Sequence, residues 1–307
     1  IMKNFSVKHF HLIIAFVITV TLQASSQIPD FSKVPNVHEN DSVAITDLVH
    51  HGIQITRQKV ICWFPADSFP RKRMNEIADT INIGIAAAEK FLNAPLPWQV
   101  HPFNEPYIFY FRTDTFISHA SLAGFVSVPS WRIKIGKAPW LHEALHEMLN
   151  TNSGSWEDTI KVSEEDWKTK MPLWLFEGLP DYISLEVSRT NNLKWFDVFS
   201  NSSQMNIDSL FRSDMNEKNE HASYILSHIG ENGVMPELSS KDRKKYAPAF
   251  YHGSCSFVTY IARTYGFRLL LSAVSSFQKE QETLEKLSGK PLAVLKKEWL
   301  DKLKTGK

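Results

Sequence analysis

The rhythm of apolar and polar positions changes several times along the chain. Between 43 and 66, Ile53, Ile55, Val60, Cys62 and Phe64 alternate with other residues, a period of two that predicts a pair of strands. After the Phe69-Pro70 step the period lengthens. Ile77, Ile81, Ile85, Ala88 and Phe91-Leu92 mark one face of a long helix that ends before Pro95. Tyr107 to Phe111 is a dense apolar and aromatic run of strand type, and 124–128 and 131–135 read as one or two more strands. Beyond Pro139 the helical period takes over, over 140–150, roughly 173–187, and 249 to Tyr265, where Gly266 supplies the stop.

Three segments carry no such pattern. Residues 28–42 are polar with two prolines and read as a leader into the fold. Residues 150–171 are polar and read as an insertion or lid, and 190–245 is mixed without a clear period. Strands early and helices late give an α+β chain: a small mixed sheet with helices, then a mainly helical half. The expected division is a leader over 1–26, an α/β part over 27–150 and a mainly helical part over 151–307.

The first thirty residues change the picture of where the protein works. Lys3 and Lys8 precede an apolar run from Leu12 to Leu22, and Ala24-Ser25-Ser26 follow it. That order is the signature of an export signal, and the run is short for a membrane span, so the expected location is periplasmic or secreted. An uncleaved N-terminal anchor is the alternative; after cleavage no stable membrane insertion is expected. Across all 307 residues the formal charge is only +1, with Lys and Arg scattered, which argues against nucleic acid as a partner. Cys62 and Cys255 are the only cysteines; in an oxidising compartment they either pair or stay as buried thiols, and their spacing leaves both open.

The candidate chemistry lies in the helix that ends the α/β part, Trp140 to Asn150 (WLHEALHEMLN). Its apolar residues at 141, 144, 145, 148 and 149 form a core-facing stripe. His142 and His146 border that stripe, and Glu143 lies beyond them. Four residues make about one helical turn, so both imidazoles can reach one ion about 2 Å from each ring nitrogen. Glu143 then faces the same site without binding the ion, placed to accept a proton from an activated water. This is the H-E-x-x-H pattern.

A catalytic zinc needs a third protein ligand and an open position. A histidine six residues after His146 is excluded, because position 152 is Asn152. The segment Leu173-Trp174-Leu175-Phe176-Glu177-Gly178-Leu179-Pro180-Asp181 offers Glu177, an acid among apolar neighbours that needs a partner. Asp181 follows one turn later, able to take the outer N–H of a ligand imidazole.

With these residues in hand the chain resembles the gluzincin metallopeptidases, the thermolysin- and aminopeptidase-like group often called peptidase MA. The resemblance covers about residues 50–275 and is most specific at 142–146 and 174–179. It implies a zincin-like fold, bound Zn2+, a peptide or protein substrate, His142, His146 and Glu177 as ligands, Glu143 as general base, and Asp181 as the acid behind a ligand histidine. Tyr251 matches the tyrosine that stabilises the oxyanion in such enzymes, with Tyr246 and His252 as rivals. The chain departs from relatives in two ways. Thirty residues separate His146 from Glu177, and Pro180 sits inside the glutamate helix, where it should bend the helix and disturb Asp181. The resemblance also suggests an extended substrate along an edge strand near 125–135. No Asp or Glu falls within 122–136 to hold a free amine, which favours cleavage inside chains. Two other readings stay open: a scaffold that keeps the metal helix without cutting, and a hydrolase of a non-peptide envelope substrate.

Overall fold

A computed structural model describes residues 40–93, 106–121, 124–150, 172–194, 228–229, 240–276 and 279–305. The leader over 1–26, most of 28–42, the 150–171 insertion, most of 195–239, and His101 and His221 lie outside these residues; only the backbone is described at 150 and over most of 240–248. The expected α+β class is present: among the described residues five strands form one mixed sheet, accompanied by nine helices. None of those helices is long and apolar enough to cross a membrane.

The sheet runs in the order β1-β2-β3-β5-β4. Its strands are β1 (Ile53–Thr56), β2 (Val60–Phe64), β3 (Tyr107–Arg112), β4 (His119–Ser121) and β5 (Phe125–Pro129). β2, β3 and β5 are parallel to one another, while β1 and β4 pair antiparallel at the two edges. The inner strands β2 and β5 are buried along their whole length, as strands covered on both faces must be.

Helix α1 (Asp41–His51) covers one face, setting Ile45 and Leu48 against Ile61, Trp63, Tyr110 and Phe125. The other face carries α2 (Arg71–Asn93) and α4 (Trp140–Asn150), packed over Phe64, Phe109, Phe111, Val126 and Val128. Met74, Ile77, Ile81, Ile85, Ala88 and Leu92 recur every three to four residues on α2 and are all buried, so its periodicity became its packing face. Helices α5 (Leu173–Asn191), α6 (Ser240–Tyr265), α7 (Phe267–Val274), α8 (Glu280–Ser288) and α9 (Leu292–Thr305) complete the helical half.

Three expectations change. Residues 43–51 belong to α1, so the strand pair starts only at Ile53; the spacing Ile45, Leu48 with Asp41 in the first turn is helical. Residues 131–135 are not a strand but mostly the one-turn helix α3 (Ser130–Lys134). Only Ile133 of the alternating apolar trio is buried there, and Gly136 at φ 74° ends the turn in the left-handed region open to glycine. As a result the region 125–135 offers no edge for a substrate: β5 is interior, and β4 is the edge strand among the described residues on that side. Cys62 and Cys255 are both buried free thiols, which resolves the open alternative against a disulfide.

The metal-type helix α4 is located by a tight contact. A Cβ added at Gly84 of α2 would lie 2.4 Å from Cη2 and 2.9 Å from Cζ3 of Trp140, the fully buried first residue of α4. Only a hydrogen fits between α2 and that indole. Gly84→Ala is therefore expected to lower stability by about 1–3 kcal/mol through overpacking, despite alanine's better helix propensity, as read by thermal or urea denaturation.

Candidate metal centre

Two helices supply the site. α4 carries His142, Glu143 and His146, and α5 carries Glu177 and Asp181. The apolar stripe of α4 is driven into the core, with Leu141, Ala144, Leu145 and Met148 fully buried, and this fixes the direction in which the histidines on its border must point. α5 does the same through Trp174, Leu175, Leu179 and Ile183.

The structure brings His142, His146 and Glu177 together, with one ligand atom from each lying within 4.8 Å of the others. The two Nε2 atoms are 2.9 Å apart. Glu177 Oε2 lies 3.2 Å from Nε2 of His142 and 3.5 Å from Nε2 of His146. Behind them, Nδ1 of His142 meets Asp181 Oδ1 at 2.6 Å, and Asp181 is fully buried. A carboxylate only accepts, so it holds a proton on Nδ1 and turns Nε2 of His142 toward the other two groups, where that nitrogen carries either a proton shared with Glu177 or a cation in its place. Nδ1 of His146 is buried with no hydrogen-bond partner among the described residues, and that ring instead stacks on Phe176 at 4.3 Å.

Electrostatics point the same way. Burial works against a charged ring, yet the Asp181 and Glu177 carboxylates push His142 up to about 10. Burial alone would raise Glu177, but hydrogen bonds from both imidazoles hold it down at about 2. The pocket is built to contain positive charge. Three electron-pair donors converging within 3.5 Å are stable together only with a cation or a proton between them, and two nitrogens plus one carboxylate oxygen are the donors zinc takes.

Glu143 is buried beside this trio and is absent from the converging ligand atoms. Its Oε2 accepts the amide N–H of Ala120, the middle residue of β4, at 3.1 Å. Burial raises its pKa, partly countered by His142 and His146. Tyr251 on α6 faces the same charges: burial raises its phenol, and the Glu177, Glu143 and Asp181 carboxylates raise it further. His252 is depressed by burial and is influenced by Asp181, while the side chain of Tyr246 lies outside the described residues.

Pro180 does not break α5, which runs unbroken through it, and Asp181 reaches His142 from that helix. A single inserted proline forfeits one hydrogen bond, and here the neighbouring packing keeps the chain helical. The position of α6 is set at Gly178, where an added Cβ would meet the backbone C and O of Ser254 at 2.6 Å. Glu177 precedes that crossing and Tyr251 lies three residues before Ser254, so this contact brings the two helices and their polar groups together.

Sequence reasoning missed three buried polar residues: Asp41, which falls within the polar segment 28–42, Arg112 and His119. Their partners lie 71 and 78 positions away, a distance at which no spacing rule gives a signal.

Comparison with known protein families, curated proteins and solved structures returned no match. Gly178→Ala is the check on this site: it should cost about 1–3 kcal/mol in a denaturation experiment by forcing two backbones apart.

Proposed function

We propose that the chain is an exported zinc-dependent peptidase of the gluzincin kind, with a zincin-like arrangement of sheet and helices. The observation that carries this reading is the convergence of His142, His146 and Glu177, from two helices, within 4.8 Å. These three residues hold the ion, and Asp181 fixes the His142 ring by its bond to Nδ1. When bound, zinc supplies a Lewis acid that polarises a carbonyl and acidifies water.

The remaining chemistry belongs to the chain. Oε2 of Glu143 is engaged by the Ala120 amide, so Oε1 is the atom that takes a proton from the attacking water and returns it to the leaving amine. Its raised pKa brings the carboxyl closer to neutrality, where an acid/base group exchanges protons most readily. The Tyr251 phenol, held protonated by its surroundings, donates to the oxygen of the scissile carbonyl as charge develops there.

An extended substrate lies along β4 rather than along 125–135. Ala120 directs its N–H away from β5 toward Glu143, and in a strand the carbonyl of the same residue shares that side, leaving it as an acceptor for a substrate amide. Beside the trio is a small hollow, partly open to solvent, walled by His146, Leu149, Leu175, Phe176 and Val274 with the Glu280 carboxyl among them. Its mainly apolar lining suits a small apolar group of the substrate.

Two measurements test this reading. Glu143→Gln should keep one zinc per chain by metal analysis while cleavage of a peptide library falls at least about a hundredfold; unchanged turnover overturns the assignment. Asp181→Asn should weaken zinc binding about 10- to 100-fold in a competition titration, whereas His146→Ala should abolish stoichiometric zinc.

A further inference from the structure

A second buried charged cluster lies outside the histidine–glutamate trio, at the end of the sheet beside β4. Asp41, Arg112 and His119 are 1%, 4% and 8% exposed. Asp41 Oδ1 accepts a short bond from Arg112 Nη1, and its Oδ2 meets Nε2 of His119 at 3.0 Å. Arg112 spends its other donors on Asp114, Nε to Oδ1 at 2.9 Å and Nη2 to Oδ2 at 2.6 Å. One carboxylate therefore joins the first turn of α1, the last residue of β3 and the first residue of β4.

Such a cluster is costly. Removing each ion from water costs several kcal/mol, and an apolar packing of the same volume is often as stable. What the cluster does contribute is registration of three chain segments. β4 gains most from it, because the strand is only three residues long and, among the described residues, β5 is the strand it pairs with. One residue past His119, along the edge turned away from β5, the Ala120 amide holds Oε2 of Glu143 at 3.1 Å. The same strand thus takes hold of Asp41 with one residue and of Glu143 with the next.

We propose that Asp41, acting through Arg112 and His119, positions β4 and through it the carboxylate of Glu143. Asp41 touches no substrate; it is a positioning residue at the far end of a chain of contacts from α1 to the general base. The catalytic part of this inference rests on the peptidase reading. The structural part, that the Asp41 cluster controls β4, stands without it.

The test uses the full chain loaded with zinc alone, as wild type, Asp41→Asn and His119→Gln. Amide hydrogen exchange over 119–121 should accelerate about tenfold or more in both variants, while exchange across α5 and α6 and the zinc stoichiometry stay as in wild type. With a cleaved library peptide, kcat should fall about tenfold with KM within about twofold, as expected when a catalytic group is displaced and substrate contacts are kept. Asp41→Glu should recover part of the loss. If Asp41→Asn fails to fold, His119→Gln still cuts the link to β4 while leaving the Asp41–Arg112 pair intact. Unchanged exchange over 119–121, or acceleration spread equally through α5 and α6, overturns the positioning role. A loosened β4 with unchanged kcat overturns its tie to Glu143. Absence of any cleavage by wild type refutes the peptidase reading alone, and the exchange data then decide the role of Asp41 in holding β4.

Discussion

Two imidazoles and a carboxylate enclosed in an apolar wall repel or strand one another unless positive charge lies among them. That requirement organises the molecule. His142 and His146 reach their common point only because α4 drives Leu141, Ala144, Leu145 and Met148 into the core, and Glu177 reaches it only because α5 buries Trp174, Leu175 and Leu179 beside them. The apolar contacts supply the free energy that makes so dense a gathering of polar atoms tolerable. Asp181 then fixes the Nδ1 proton and the orientation of the His142 ring.

Around this centre the polar groups are arranged in layers. Glu143 sits between the trio and β4, Tyr251 approaches from α6, and each owes its ionisation tendency first to burial and then to the neighbouring carboxylates or imidazoles. The edge strand is held by two acids, Asp41 through the His119 ring and Glu143 through the Ala120 amide along the edge turned away from β5. A strand of three residues takes much of its place from those side-chain contacts.

The parts of this arrangement that rest on local periodicity were legible in the sequence. α2 and α4 follow apolar residues three and four apart, and β2 and β3 follow short aromatic and β-branched runs. The trio was legible because one turn of helix joins the histidines and because an acid in apolar company at 177 calls for a partner. The errors have different causes. Residues 131–135 alternate as a strand would, yet a proline before them and a left-handed glycine after them make a single helical turn. β4 was missed because three residues are too few to show a period. Asp41 was missed because its partners are far away in the chain, and tertiary contact of that kind is encoded by no local pattern.

The crossing of α5 over α6 has a consequence for how the chain can vary. At Gly178 the obstructing atoms belong to the main chain of residue 254, not to its side chain. Substitution at 254 leaves that obstruction in place, since every amino acid brings the same carbonyl. At this crossing the freedom to drift is therefore unequal: 254 tolerates change as far as its own burial allows, and 178 admits nothing larger than hydrogen without moving the two backbones, and with them the carboxylate and the phenol, apart.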